Sequence, residues 1–177
     1  MNLVLCGMMG AGKTTIGIKI AELTGRRWYD TDGLIVDKYG KISDIFEYYG
    51  EAHFRKLETE IVKELSAQDG LVISTGGGLV LKKENNALLQ KNGKIVFLRA
   101  SIDTLSKRLK VDGTRPLLQT STESIRDRLA KLMKERMPVY ELVADYVVDV
   151  DGKTPEAIAK EIVDLVKNEQ MEGAGTR

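Results

Sequence analysis

The sequence has little of what would commit it to several common classes. It contains one cysteine, Cys6, so no internal disulfide can staple the fold. Cys6 lies in an apolar run and reads as a small core residue, and a reducing, cytoplasmic compartment is expected. There is one histidine, His53; alone on a helical pattern, it reads as solvated and is assigned no role. Charge of one sign is also missing, because 27 Lys and Arg face 26 Asp and Glu for a formal charge of +1. No broad basic surface follows, which argues against nucleic-acid or acidic-membrane partners. No apolar stretch reaches bilayer length, and the opening run is too short for a secretory leader. Repeats and low-complexity linkers are absent. At 177 residues the chain is expected to form one domain over residues 1–170, with a disordered tail over 171–177.

What is present centres on Gly7-Met8-Met9-Gly10-Ala11-Gly12-Lys13-Thr14. It fits G-x-x-x-x-G-K-[ST], the phosphate-binding loop. The apolar run Asn2–Cys6 ahead of it reads as a buried strand. Behind it, Ile16, Ile20 and Leu23 fall at helical spacing. Glycines let backbone N–H groups close around a phosphate chain, and a helix N-terminus adds partial positive charge. Nucleotide contacts are therefore expected from Gly10, Ala11, Gly12, Lys13, Thr14 and Thr15. Lys13 can reach the β- and γ-phosphates, and the Thr14 hydroxyl can ligate Mg²⁺.

A short strand ending near Asp30 would put Asp30 and Asp32 on one side, at the strand end where parallel sheets bind ligands. Two readings stand: metal-water and substrate-hydroxyl contact, or Asp32 as N-cap of a helix over Gly33–Tyr39. Ser43 is expected to cap the next helix. From Glu51 to Ala67, Phe54, Leu57, Ile61 and Leu65 share a helical face. Arg55 and Glu58, three apart, read from spacing as a surface ion pair. Leu71–Ser74 is a strand running into Thr75-Gly76-Gly77-Gly78, where three glycines expose backbone to a ligand. A helix (Lys82–Gln90), a strand (Lys94–Leu98) and a helix from Ser101 or Asp103 follow. Asp112-Gly113-Thr114-Arg115-Pro116 reads as a polar lid at about 110–122. Ser121–Val143 reads as a long helix interrupted near Pro138. The strand Tyr146–Asp149 precedes a last helix, capped by Thr154 with Pro155 first. About five apolar strands separated by helices predict an α/β fold, a five-stranded parallel sheet with helices on both faces.

Six signals stand in one order: Gly7–Thr14, Asp30-Thr31-Asp32, Gly50–Glu58, Thr75–Gly78, Arg115-Pro116-Leu117-Leu118, and Glu135-Arg136-Met137-Pro138-Val139-Tyr140. In this set the chain resembles the shikimate kinases over nearly its whole length. The resemblance implies a three-layer P-loop fold of the nucleoside-monophosphate-kinase type, with a substrate-binding helical segment at about 32–60 and a lid. It implies an enzyme using ATP and Mg²⁺ to phosphorylate the 3-hydroxyl of shikimate; a monomer is expected. Asp32 would hold that hydroxyl, and Asp30 would place Mg²⁺ through water. Arg55 and Arg136 would grip the substrate carboxylate, in place of the surface pair read from spacing. Gly76, Gly77 and Gly78 would meet substrate by backbone, Gly77 foremost. Arg115 would reach the phosphates from the lid, Arg108 would flank adenine, and the run from Val148 through Asp151 to Pro155 would form the adenine loop. Leu109–Thr114 departs from the Gly/Asn-rich sequence expected there.

These roles are chemically consistent. Phosphoryl transfer needs alignment and charge neutralisation more than covalent help, and arginine's planar fork suits a carboxylate. A gluconate kinase or a non-catalytic nucleotide-sensing module on the same fold are the alternatives.

Overall fold

A computed structural model describes residues 1–111 and 124–174. The order of elements is β1 (Asn2–Cys6), α1 (Lys13–Thr24), β2 (Arg27–Asp30), α2 (Thr31–Tyr39), α3 (Ile42–Tyr49), α4 (Glu51–Ser66), β3 (Leu71–Ser74), a 3-10 turn (Leu79–Leu81), α5 (Lys83–Lys91), β4 (Gly93–Arg99), α6 (Ile102–Val111), α7 (Ile125–Val143), β5 (Tyr146–Asp149) and α8 (Pro155–Ala174). The sheet has five strands in the order β2-β3-β1-β4-β5, all parallel. Each strand-to-strand connection therefore carries at least one helix, as parallel pairing requires.

Every residue of β1 is buried, as are all four of β3. Strands buried on both faces lose the polar–apolar alternation of a half-exposed strand and read as continuous apolar runs, which is why they stood out in the sequence. α1 packs on β3 and against α8, while α5 and α7 pack on β4. The core between these layers is branched and aliphatic: Val4, Ile20, Ile73, Ile95, Val96 and Ile162 are fully enclosed.

The register sets up the site. Leu5 of β1 pairs with Ser74 of β3, and Ser74 pairs with Asp30 of β2. Three strands thus end level, and the segments leaving them start side by side: the glycine loop from Gly7, Thr31-Asp32, and Thr75–Gly78.

Several element boundaries differ from the sequence expectation. The N-cap of α2 is Asp30, not Asp32; its carboxylate accepts from the N–H groups of Asp32 and Gly33. Ser43 does not cap α3, whose N-cap position is Lys41 without a side-chain bond. Pro138 does not interrupt α7, which continues from Ile125 to Val143. Of the two starts offered for α6, Ser101 supplies the cap, accepting from Thr104 N–H at 3.2 Å. Thr154 caps α8 as expected, accepting from Ala157 N–H. α8 extends through Ala174. Residues 112–123, with Arg115 and most of the expected lid, and residues 175–177 lie outside the described residues. Among those described, no helix is long and apolar enough to cross a membrane.

Candidate active site

The glycine loop is shaped by close contacts. Gly7, Gly10 and Gly12 have φ of 142°, 82° and 97°, in the region that side chains resist. A β-carbon on Gly7 would lie 2.7 Å from the Leu98 carbonyl oxygen, so β4 leaves room only for glycine. Gly12 is the N-cap of α1 and makes no side-chain bond, which leaves the first turn's N–H groups facing the cleft. Lys13 Nζ donates to the carbonyls of Gly7 and Met8 at 2.8 and 2.9 Å. The lysine folds back across its own loop.

Thr14 Oγ1 donates to Asp30 Oδ2 at 2.9 Å, while Asp30 Oδ1 holds the start of α2. A hydroxyl and a carboxylate thus meet beside the loop. These are hard oxygen donors, few in number, the kind Mg²⁺ accepts when phosphate and water complete its shell. Among the described residues, no cluster of three or more His, Cys, Asp or Glu could hold a metal by itself.

The glycine triplet is explained by side chains rather than by turn geometry, since none of its members has a positive φ. A β-carbon on Gly76 would sit 2.5 Å from Asp32 Oδ1, one on Gly77 3.0 Å from Arg136 Nη1, and one on Gly78 2.6 Å from Arg55 Nη1. Each glycine makes room for one of three charged groups. The Gly76 N–H is already used, donating to the buried Thr31 hydroxyl at 2.9 Å.

Arg55 is bound on α4 by Glu58 at 2.7 Å and Glu51 at 3.1 Å. The surface pairing read from spacing is corrected here, because Glu58 is 1% exposed. Burial raises the Glu58 carboxyl above its ordinary value; Arg55 opposes that rise, and Asp32 adds to it. Arg136, on α7, is buried. One turn on, burial pushes the Tyr140 hydroxyl up to about 12, against the pull of Arg136.

Two cavities result. One, of about 570 Å³, is lined by Gly10, Gly12, Lys13, Thr14, Thr15 and Asp30, and farther out by Arg108, Lys153 and Pro155. The other, of about 440 Å³, is lined by Arg55, Glu58 and Arg136 with Phe46, Phe54 and Met9. They share Asp32, Gly76 and Gly77. Gly78 belongs to the second alone. Most sequence-selected residues are therefore brought together. Ala11, within the loop, is fully buried and does not line the first cavity. Arg108 Nη1 donates to Gly10 O at 3.0 Å. Asp151 does not line the first cavity; its carboxylate accepts from Ser101 N–H at 3.1 and 3.2 Å. Lys153, two residues on, does line it. Lys153 was not singled out from the sequence, and Glu58 and Tyr140, named there within their motifs, were given no role at the site. A lysine two residues before a helix-starting proline, within the run the resemblance assigns to adenine, was the available signal for Lys153.

A phosphate loop at the end of a parallel sheet, joined through one carboxylate to a pocket with two arginines, defines a P-loop kinase of small acidic acceptors. The shikimate kinase family model matches residues 9–167. A shikimate kinase of Actinobacillus pleuropneumoniae is 41% identical over 170 residues, covering 96% of this chain and 97% of that protein. One from Sulfurihydrogenibium is 44% identical, covering 94% and 98%. The structure of Acinetobacter baumannii shikimate kinase in complex with shikimate superimposes with a TM-score of 0.89 at 38% identity, covering 95% of this chain and 93% of that one. The chain belongs to the shikimate kinase family.

Proposed function

We propose that the chain transfers the terminal phosphoryl group of ATP to the 3-hydroxyl of shikimate, as a cytoplasmic monomer. The observation that carries this reading is that Asp32 is common to both cavities. A ring acid held by Arg55 and Arg136 would present an alcohol to Asp32, and the phosphate loop would present the terminal phosphate from the other side.

The roles follow from position. Arg136 and Arg55 bind the carboxylate, with Glu58 fixing the Arg55 fork. Asp32 accepts the proton of the attacking hydroxyl. Lys13 leaves the Gly7 and Met8 carbonyls to meet phosphate oxygens, supported by the N–H groups of Gly10 through Thr15. Thr14 and, through water, Asp30 would hold Mg²⁺, which supplies charge neutralisation on the phosphates. Arg108 and the segment from Asp151 to Pro155 border the base. Arg115, from its motif, supplies a further cation at the transferring group. Closing the site excludes water, which would otherwise compete as acceptor.

The test is coupled ADP release with shikimate, gluconate and a nucleoside monophosphate offered separately with Mg²⁺ and ATP. Turnover is expected with shikimate alone. Turnover with gluconate or a nucleotide and none with shikimate would reassign the acceptor. ATP binding without acceptor-dependent release would support a sensing module. Lys13→Ala is expected to remove most turnover while the protein stays folded.

A further inference from the structure

Tyr140 is fully buried, its ring tilted 36° against Phe97 at 5.1 Å between centroids. Its hydroxyl donates to Gly77 O at 2.6 Å. Packing alone would be served as well by phenylalanine. The hydroxyl therefore needs a reason, because a buried O–H is tolerated only where it is bonded. Burial pushes it up to about 12, so at neutral pH the hydroxyl keeps its proton and can donate.

The bond acts on more than one atom. Gly77 O belongs to the peptide unit whose other end is the Gly78 N–H. That unit is planar and trans, so its C=O and N–H point in opposite directions. Holding the oxygen toward α7 turns the Gly78 N–H away from α7. Gly78 is buried and lines the acid cavity. Among the described residues its N–H has no acceptor, although a buried amide needs one. Glycine on both sides of this peptide removes the side chains that would otherwise hinder its rotation. The turn bonds from Leu79 N–H to Gly76 O and from Leu81 N–H to Gly78 O bracket this peptide, and the Tyr140 hydroxyl bonds its own carbonyl.

We propose that Tyr140 is a positioning residue: its hydroxyl locks the Gly77–Gly78 peptide so that the Gly78 N–H faces the acid cavity as a ready donor to the bound acceptor. The helix that brings Arg136 to the substrate also sets this peptide, one turn later. The inference rests on the acceptor reading given above.

The test is Tyr140→Phe, which keeps the ring and deletes the donor. The KM for shikimate is expected to rise about tenfold, equivalent to one hydrogen bond, with the KM for ATP within about twofold. Phe97→Leu is the packing control; it should lower Tm and leave the ratio of the two KM values unchanged. A Tyr140→Phe enzyme with both KM values unaltered, or both raised alike, would overturn the proposal. A second measurement needs no variant. In the wild-type protein, saturating shikimate should slow exchange of the Gly78 amide hydrogen, and unchanged exchange would overturn the proposal even if Tyr140→Phe fails to fold. Absence of any shikimate turnover in the wild type would instead remove the acceptor reading itself.

Discussion

Arg55 and Arg136 face one cavity under different restraint. Arg55 is tied to Glu58 and Glu51, whereas Arg136 lies deeper, its guanidinium against Gly77. Arg136→Ala is expected to raise the KM for shikimate roughly tenfold to a hundredfold, the loss of a charge-assisted bond, with the KM for ATP little changed; steady-state kinetics on both substrates checks this. Glu58 gives a pH prediction. Its carboxyl is raised above 4.5, chiefly by burial. Between that value and its raised value the folded state holds more proton than the unfolded one, so this group's contribution falls as pH rises. The Tm of Glu58→Gln minus that of the wild type should therefore grow more positive from about pH 4 toward neutrality, measured by calorimetry. A constant difference would place the shift elsewhere. Arg55 and Glu58 also mark what the sequence could tell. Their spacing forecast an ion pair, and the pair exists. Spacing did not say which face α4 turns to α2 and α3, and that burial makes Glu58 a costly charge instead of a solvated one.

At the scale of elements, α1 shows a local preference overruled by its neighbours. Gly17 lies mid-helix, where alanine usually stabilises by about 1 kcal/mol. Here a β-carbon would lie 2.5 Å from Ser74 Oγ and 2.6 Å from Trp28 Nε1. Those two atoms are bonded to each other at 3.0 Å, and Ser74 Oγ donates on to Lys13 O at 2.8 Å. Gly17→Ala must push this chain apart, and overpacking costs about 1–3 kcal/mol. Destabilisation is expected, seen as a lower Tm, with a rise in the KM for ATP because the strained chain ends on the backbone of the loop lysine. The phosphate loop was legible because its motif, strand and helix are contiguous. The cap of α2 was less so: Asp30 and Asp32 are both good caps, and the choice fell to Asp30 because the level ends of β2 and β3 start the helix at Thr31. Pro138 misled because proline disrupts an isolated helix, whereas α7 is supported on both sides of it, by Leu129 and Tyr140 in the core.

For the whole molecule, the five-strand parallel sheet followed from alternating apolar runs and helical patterns. The meeting of its parts did not. Asp32, Arg55, the triplet at 76–78 and Arg136 are distant in sequence, and only strand register and the return of α7 over β4 bring them within reach. Their grouping was inferred through resemblance to a family, and spacing alone would have left them scattered. Because the two chambers share one aspartate and two glycines in their walls, an occupant of either acts on residues that the other's occupant also meets. Thermodynamic reciprocity then applies: whatever factor shikimate adds to the affinity for nucleotide, nucleotide must add to the affinity for shikimate. Calorimetric titration of each into protein saturated with the other, using a non-hydrolysable nucleotide, should return the same factor both ways, well away from one. A factor of one would mean that the partition insulates its two tenants and that neither feels the other arrive.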